Sequence, residues 1–183
     1  YRAGEPVALS DSLPMLERMG VRVLTEHPAR LQPADGGPAW VHDFELLALS
    51  TDQVEVDAVK PLFEEAFLRV ADGSIENDDF NRLVLRTGLA ADEVEVLRAY
   101  ARYLRQIGFA LTPAFIEGTF NSHPRIARLL VQLFRRRFEP AAGGGAAERE
   151  IDCAATVKEI VGALEDVENL NEDRVLRQYL ALI

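Results

Sequence analysis

Cysteine is almost absent: Cys153 is the only one in 183 residues. No intrachain disulfide can form, and a reducing cytoplasm fits that usage. Long apolar runs are missing too. None approaches the ~20 residues that cross a bilayer as a helix, and the first residues lack a signal-peptide pattern. Positive charge is short. Lys and Arg number 20 against 30 Asp and Glu, for a net charge of −10, which argues against nucleic acid or an anionic membrane as the main partner. Histidine is scarce. His27 and His42 fall in expected strands and His123 at a helix start. None has a carboxylate or cysteine at metal-ligand spacing, and no His-Glu-x-x-His occurs, so no metal site is expected.

What is present suits burial. Hydrophobic residues make up 48% of the chain, and a domain of ~150 residues already buries roughly 70% of its unfolded surface. The charge is split along the sequence. Asp43 to Asp79 is mostly acidic, with Lys60 and Arg69 its cations. Phe80 to Phe138 is mostly basic, with Arg82, Arg86, Arg98, Arg102, Arg105, Arg125, Arg128 and Arg135 to Arg137. The two stretches are placed to attract each other, within one molecule or between subunits; the plainer alternative is two solvated faces.

Phe80 to Phe138 organises the chain. At its centre Val94, Leu97, Ala101 and Leu104 recur at three- and four-residue spacing and line one stripe of a helix. Arg98, Arg102 and Arg105 fall beside the stripe, and Gly108 stands at the stop. Upstream, Tyr1 to Ala3 reads as the tail of a strand, followed by a turn at Gly4-Glu5-Pro6. A short helix with Leu13, Leu16 and Met19 inside is capped by Ser10 or Asp11 and ends at Gly20. Val21 to Leu31 and Ala39 to Leu49 read as strands joined by a turn at Pro33 to Pro38. Asp57 opens a helix with Val59, Phe63, Ala66, Phe67 and Val70 inside, stopped at Gly73. This βαββα order is most of a ferredoxin-like unit, with the last strand missing.

Beyond it only helices are visible. Asp78 or Asp79 caps a short helix closed by Thr87-Gly88. Ala90 is a poor cap for the long helix, partly offset by Asp92 and Glu93 facing its positive end. Thr112-Pro113 and Ser122-His123-Pro124 read as two cap-then-proline starts. A helix follows with Ile126, Leu129, Leu130, Leu133 and Phe134 inside. Gly143 to Gly145 reads as a flexible joint. Next comes a helix with Ile151, Ala155, Val157, Ile160, Val161 and Leu164 inside. The last is capped by Asn171 and buries Val175, Leu176, Tyr179, Leu180 and Ile183. The fold class expected is α+β, a partial βαββα unit and then an all-helical region.

No catalytic constellation emerges. Gly143 to Gly145 follows a helix rather than a strand and lacks the Lys-Ser/Thr of a phosphate loop. Glu64-Glu65 and Asp78-Asp79 are adjacent in sequence, so each pair points two ways and forms no acid–base couple. Cys153 lies near Glu150 and Asp152, which disfavour thiolate. Arg135 to Arg137 splay around a helix.

Several runs together nevertheless resemble one family. They are Arg2-Ala-Gly-Glu-Pro-Val-Ala-Leu-Ser-Asp11, Leu16-Glu-Arg-Met-Gly-Val-Arg-Val23, Trp40-Val-His-Asp-Phe44, Phe63-Glu-Glu-Ala-Phe67, Glu76-Asn-Asp-Asp-Phe-Asn-Arg-Leu-Val84, Val96-Leu-Arg-Ala-Tyr-Ala-Arg-Tyr-Leu-Arg-Gln106 and Leu170-Asn-Glu-Asp-Arg-Val-Leu-Arg-Gln-Tyr-Leu180. The chain resembles the large bacterial NAD-specific glutamate dehydrogenases along nearly its whole length. The resemblance implies residues 1–72 as the end of an ACT-like region and residues 75–140 as a helical motif. It implies a linker at 141–147, and 148–183 as a helical segment leading towards a catalytic domain absent from this chain. A start at Tyr1 without Met and a stop at Ile183 inside an apolar pattern fit a piece of a longer polypeptide.

The resemblance also implies a division of labour. The whole protein would oxidise L-glutamate with NAD to 2-oxoglutarate and ammonium. No position here matches the family's nicotinamide-binding glycines or substrate lysines, so neither a catalytic nor a cofactor-binding residue is assigned. ACT-type units often take amino-acid effectors at the loop after the first strand, here Gly4, Glu5, Pro6, Val7, Ala8 and Leu9. The partners implied are the rest of the same polypeptide and further copies of it as a homo-oligomer, in the cytoplasm. A helical protein-interaction module is the alternative.

Overall fold

Leucine and valine at strand spacing and then at helix spacing set the order of elements in the computed structural model. It describes residues 2–3, 5–34, 37–49, 55–139 and 146–183. Strand β1 (Arg2–Ala3) leads to helix α1 (Leu9–Arg18), then strands β2 (Val21–Leu31) and β3 (Ala39–Ala48), then α2 (Val56–Ala71). The sheet order is β1-β3-β2, with β3 antiparallel to both neighbours. This is the centre of a ferredoxin-like unit without its fourth strand. The register Val23↔Leu46 and Thr25↔Glu45 skips Leu24, so β2 carries a bulge there. Gly20 makes the tight link from α1 to β2 at φ 87°, a backbone that favours glycine. The centre of the expected turn at Pro33 to Pro38, residues 35–36, lies outside the described residues, as do residues 141–145 of the expected linker. Ala146 already opens a helix.

After α2 the described chain is helical. A single 3-10 turn (Asp79–Asn81) runs into α3 (Arg82–Thr87). Then come α4 (Ala91–Gln106), α5 (Pro113–Ser122), α6 (Pro124–Phe138), α7 (Ala146–Leu164) and α8 (Leu170–Leu182). Local chemistry explains several starts. Thr112 Oγ1 accepts the Phe115 amide, with Pro113 in the first turn. Ala90 offers no side-chain cap to α4, and Glu93 reaches back to accept the Ala90 amide instead. Other caps differ from expectation. Ala8, Glu55 and Asn169 precede α1, α2 and α8 in place of Ser10 or Asp11, Asp57 and Asn171. Asn169 accepts two amides, whereas Asn171 donates one of them. Ser122 closes α5 rather than capping α6.

One apolar cluster joins both regions. Met19, just past α1, and Ala66 and Val70 of α2 share it with Phe80, Leu97, Phe120, Leu130 and Tyr179. The rings of Phe120 and Tyr179 meet edge to face at 4.7 Å, and Phe80 lies 5.9 Å from Phe120. The Tyr179 hydroxyl donates to the Leu97 carbonyl at 3.0 Å. Helix α2 thus spends its apolar face on the helical region, while α1 packs against β2 as well as α2. The principal neighbours of α2 are α1, α3 and α4. The sheet is correspondingly bare: Leu24, Leu31, Leu46, Leu47 and Leu49 are large and exposed. Helix α7 buries Cys153, Thr156, Ile160 and Leu164. Ile151, Ala155 and Val161, expected inside, are exposed, because Ile151 and Ala155 project from the side opposite the 153–156–160–164 stripe and Val161 from its flank.

Phe120 touches both the polar turn side and the α8 side of this cluster. Phe120→Ala is expected to lower unfolding free energy by about 3–5 kcal/mol, read from urea denaturation followed by helical circular dichroism. A loss well under 1 kcal/mol would show that Phe120 is not a keystone of the core.

Candidate functional site

The densest set of polar contacts surrounds Arg98, on the buried side of α4. Arg98 is 2% exposed. Its Nε donates to Asp78 Oδ2 at 2.6 Å and its Nη2 to Asp78 Oδ1 at 2.7 Å, a two-pronged grip on one carboxylate. Nη2 also donates to Asn81 Oδ1 at 2.9 Å, and Nη1 binds the Glu95 carboxylate one turn earlier. The guanidinium lies 5.8 Å from the centre of the Phe80 ring. Every face of the cation is therefore engaged by the segment Glu76–Asn81 or by α4 itself.

That segment is held from several sides. Asp78 caps the 3-10 turn by accepting the Phe80 amide, while the Asn81 amide group donates to the Glu76 carbonyl. From α5, Glu117 Oε2 accepts the Asp79 amide and Asn121 Nδ2 donates to the Asp79 carbonyl at 2.8 Å. Arg82 pairs with Asp79 at 3.3 Å and Arg102 with Glu76 at 2.7 Å. Arg18 of α1 donates to the Asn77 carbonyl. The acidic and basic stretches do attract each other here, within one molecule, and the meeting point is this turn. Burial, followed by the neighbouring Asp78 and Asp79 charges, pushes the Glu117 carboxyl above its ordinary range, against the opposing pull of the Asp79 amide.

The arrangement is a clamp. The arginine is buried, and four hydrogen bonds to Asp78, Asn81 and Glu95 commit it to holding the turn. Spacing along α4 put Arg98 beside the apolar stripe but did not reveal that it would be buried. The missed signal was the acidic, asparagine-rich turn Glu76–Asn81, whose acceptors match a planar five-donor cation.

The other candidates are dispersed. In the loop expected to meet an effector, Glu5, Pro6 and Ala8 are exposed and Val7 is half-buried; Leu9 begins α1 at 42% exposure. The Ala8 carbonyl accepts the Asp11 and Ser12 amides. Gly4 lies outside the described residues. His42 pairs with Glu26 across the sheet at 2.8 Å, His123 with Glu172 of α8 at 2.8 Å. Cys153 is buried. Arg135, Arg136 and Arg137 go three ways: to Glu93 and Glu139, to Thr156 and the Asp152 carbonyl, and to the Ile183 carbonyl. Among the described residues no group of three or more His, Cys, Asp or Glu is placed to hold a metal ion, and no helix is long and apolar enough to cross a membrane.

Two measurements probe the clamp. Arg98→Met strands the Asp78 carboxylate and is expected to cost about 3–5 kcal/mol of stability. Arg98→Lys should cost less, since an ammonium keeps the charge but loses the fork. Adding Asp78→Asn to Arg98→Met should cost less than the two single losses combined; simple additivity would mean no coupling. Glu117 gives a pH signature. Because the fold raises its proton affinity, its ionisation penalises folding as pH climbs from about 4 through the raised value. Glu117→Gln should gain stability relative to the parent over that rise. A constant difference across the pH series would contradict this.

Comparison with known proteins places these elements. Residues 1–59 match the family model "Glutamate dehydrogenase, ACT3 domain", and residues 75–140 match "Glutamate dehydrogenase, helical motif 3". Together the two models span more than half of the chain. Over all 183 residues the chain is 44% identical to an NAD-specific glutamate dehydrogenase of Pseudomonas aeruginosa and 42% identical to one of Halomonas elongata, covering 11% of each. A third, from Mycobacterium tuberculosis, is 37% identical, with 12% of its length covered. The chain thus spans about a ninth of the curated relatives it matches. It belongs to the NAD-specific glutamate dehydrogenase family, in which it carries the ACT3 domain and helical motif 3.

Proposed function

We propose that this chain is a non-catalytic structural and regulatory segment of an NAD-dependent glutamate dehydrogenase. The whole polypeptide would convert L-glutamate and NAD to 2-oxoglutarate, ammonium and NADH in the cytoplasm, as a homo-oligomer. Its cofactor site and reacting groups would lie in the rest of the polypeptide. The observation that carries this reading is the Arg98 clamp: the chain's most concentrated polar network is closed on itself. It ties α1 of the ACT-type unit to α4 and α5 of the helical motif through Arg18 and the Asn77 carbonyl, Asp78, and Glu117. Such a joint transmits the position of one part to the other, with the buried cation engaged in holding the turn.

A second reading rests on the ACT-type match over residues 1–59. In that reading the loop Gly4, Glu5, Pro6, Val7, Ala8 and Leu9 binds an amino-acid effector.

Purified chain mixed with L-glutamate and NAD should give no NADH, while the full-length polypeptide turns over. The full-length Arg98→Met variant should lose thermal stability with its reacting groups untouched. NADH formation by the isolated chain would refute the non-catalytic assignment. Calorimetry with a panel of amino acids tests the effector reading, and no heat with any of them would remove it.

A further inference from the structure

Helix α4 carries two apolar stripes. The inner one, with Val94, Leu97 and Leu104, is in the core. The outer one, Val96, Ala99, Tyr100 and Tyr103, continued by Ile107 just past the helix end, repeats at the same three- and four-residue spacing; Tyr100 at its edge packs on Phe134 and Tyr179, and the others turn away from the core. Its first four members line a shallow groove of about 640 Å³ together with Phe134 of α6, Leu182 of α8 and, at one end, Asp92 and Glu95. Tyr103 is 46% and Ile107 54% exposed. A helix that is apolar on opposite faces is one that is covered on both.

The charges along α4 say what covers the outer face. Its first half holds Asp92, Glu93 and Glu95 and its second half Arg102 and Arg105, Arg98 being buried on the inner side. At about 100° per residue, Glu95 and Arg102 project on the same flank of the outer stripe, on either side of Ala99. A second α4 laid antiparallel across Ala99 places each Glu95 against the partner's Arg102, twice, by two-fold symmetry. The same placement sets Val96 against the partner's Tyr103 and opposes the two helix dipoles. Ala99, small and exposed, lets the backbones approach at the crossing. A parallel partner in register would set acid on acid and base on base. Glu95 and Arg102 already hold Arg98 and Glu76 within the chain, and their side chains remain 30% and 51% exposed, so each has room for a further partner.

We infer that the outer face of α4 is a self-association surface, on which a second copy of this chain docks antiparallel across Ala99. The interface is small and mixed, so the dimer dissociates at about micromolar concentration. The inference does not depend on any enzymatic activity of the longer polypeptide.

Sedimentation velocity of the chain over a wide concentration series tests it. The parent should pass from monomer to dimer. Ala99→Glu and, separately, Tyr103→Glu should weaken association by about tenfold or more, with helical circular dichroism unchanged because both positions are on the surface. Arg102→Glu should weaken it as well, since it sets acid against the partner's acid at Glu95. A parent that stays monomeric throughout overturns the inference. So does a dimer that keeps its affinity in both Ala99→Glu and Tyr103→Glu, since it must form elsewhere, for example through the bare sheet.

Discussion

A single cation inside an apolar cluster sets the terms for the rest of this structure. Removing a guanidinium from water costs several kcal/mol, and only close, well-directed acceptors offset that cost. Arg98 obtains them from Asp78, Asn81 and Glu95. To present those acceptors, the chain from Glu76 to Asn81 must hold a tight, specific shape. Asp78 caps its own turn, Asn81 ties back to Glu76, and α5 clasps the Asp79 backbone through Glu117 and Asn121. The order of helices around this point follows from satisfying one buried charge.

The same joint explains why the α+β unit does not stand apart. In a self-sufficient sandwich of helices on a sheet, α1 and α2 would cover the strands. Here Met19, Ala66 and Val70 pack into the helical core, and the strands keep four exposed leucines, with Leu49 exposed just past β3. Apolar surface of that extent is unusual for a free-standing unit. The α+β unit and the helical motif share a core, and each borrows burial from the other.

The functional consequence is one of position. Among the described residues the densest polar contacts are those that hold Arg98 and the turn Glu76–Asn81 to each other. Matches to the ACT3 domain over residues 1–59 and to helical motif 3 over residues 75–140 of glutamate dehydrogenase, at 37–44% identity to dehydrogenases about nine times longer, put Arg18 in the one part and the turn it reaches in the other. The outer stripe of α4 extends the same theme, since a helix that closes the core on one side offers an apolar face on the other.

Sequence by itself determined the period of each element, and so the βαββα order, the succession of helices, the stops at Gly20, Gly73, Gly88 and Gly108 and the Thr112-Pro113 start. Each of these depends on a few neighbouring residues and on backbone geometry that only glycine, proline or a short polar side chain supplies. The resemblance carried by the Glu76–Val84 and Val96–Gln106 runs was legible in the same way, and those are the runs that meet at the clamp. Tertiary structure alone decided that Arg98 is buried while Arg102 and Arg105 are not, that α7 turns Cys153 and Thr156 inward rather than Ile151, and that α2 faces the helices instead of the sheet. One charged residue on a helical stripe looks like the next until a partner 17 to 22 residues away in sequence folds back to meet it. Burial belongs to pairs of surfaces, and no local pattern says which surface will arrive.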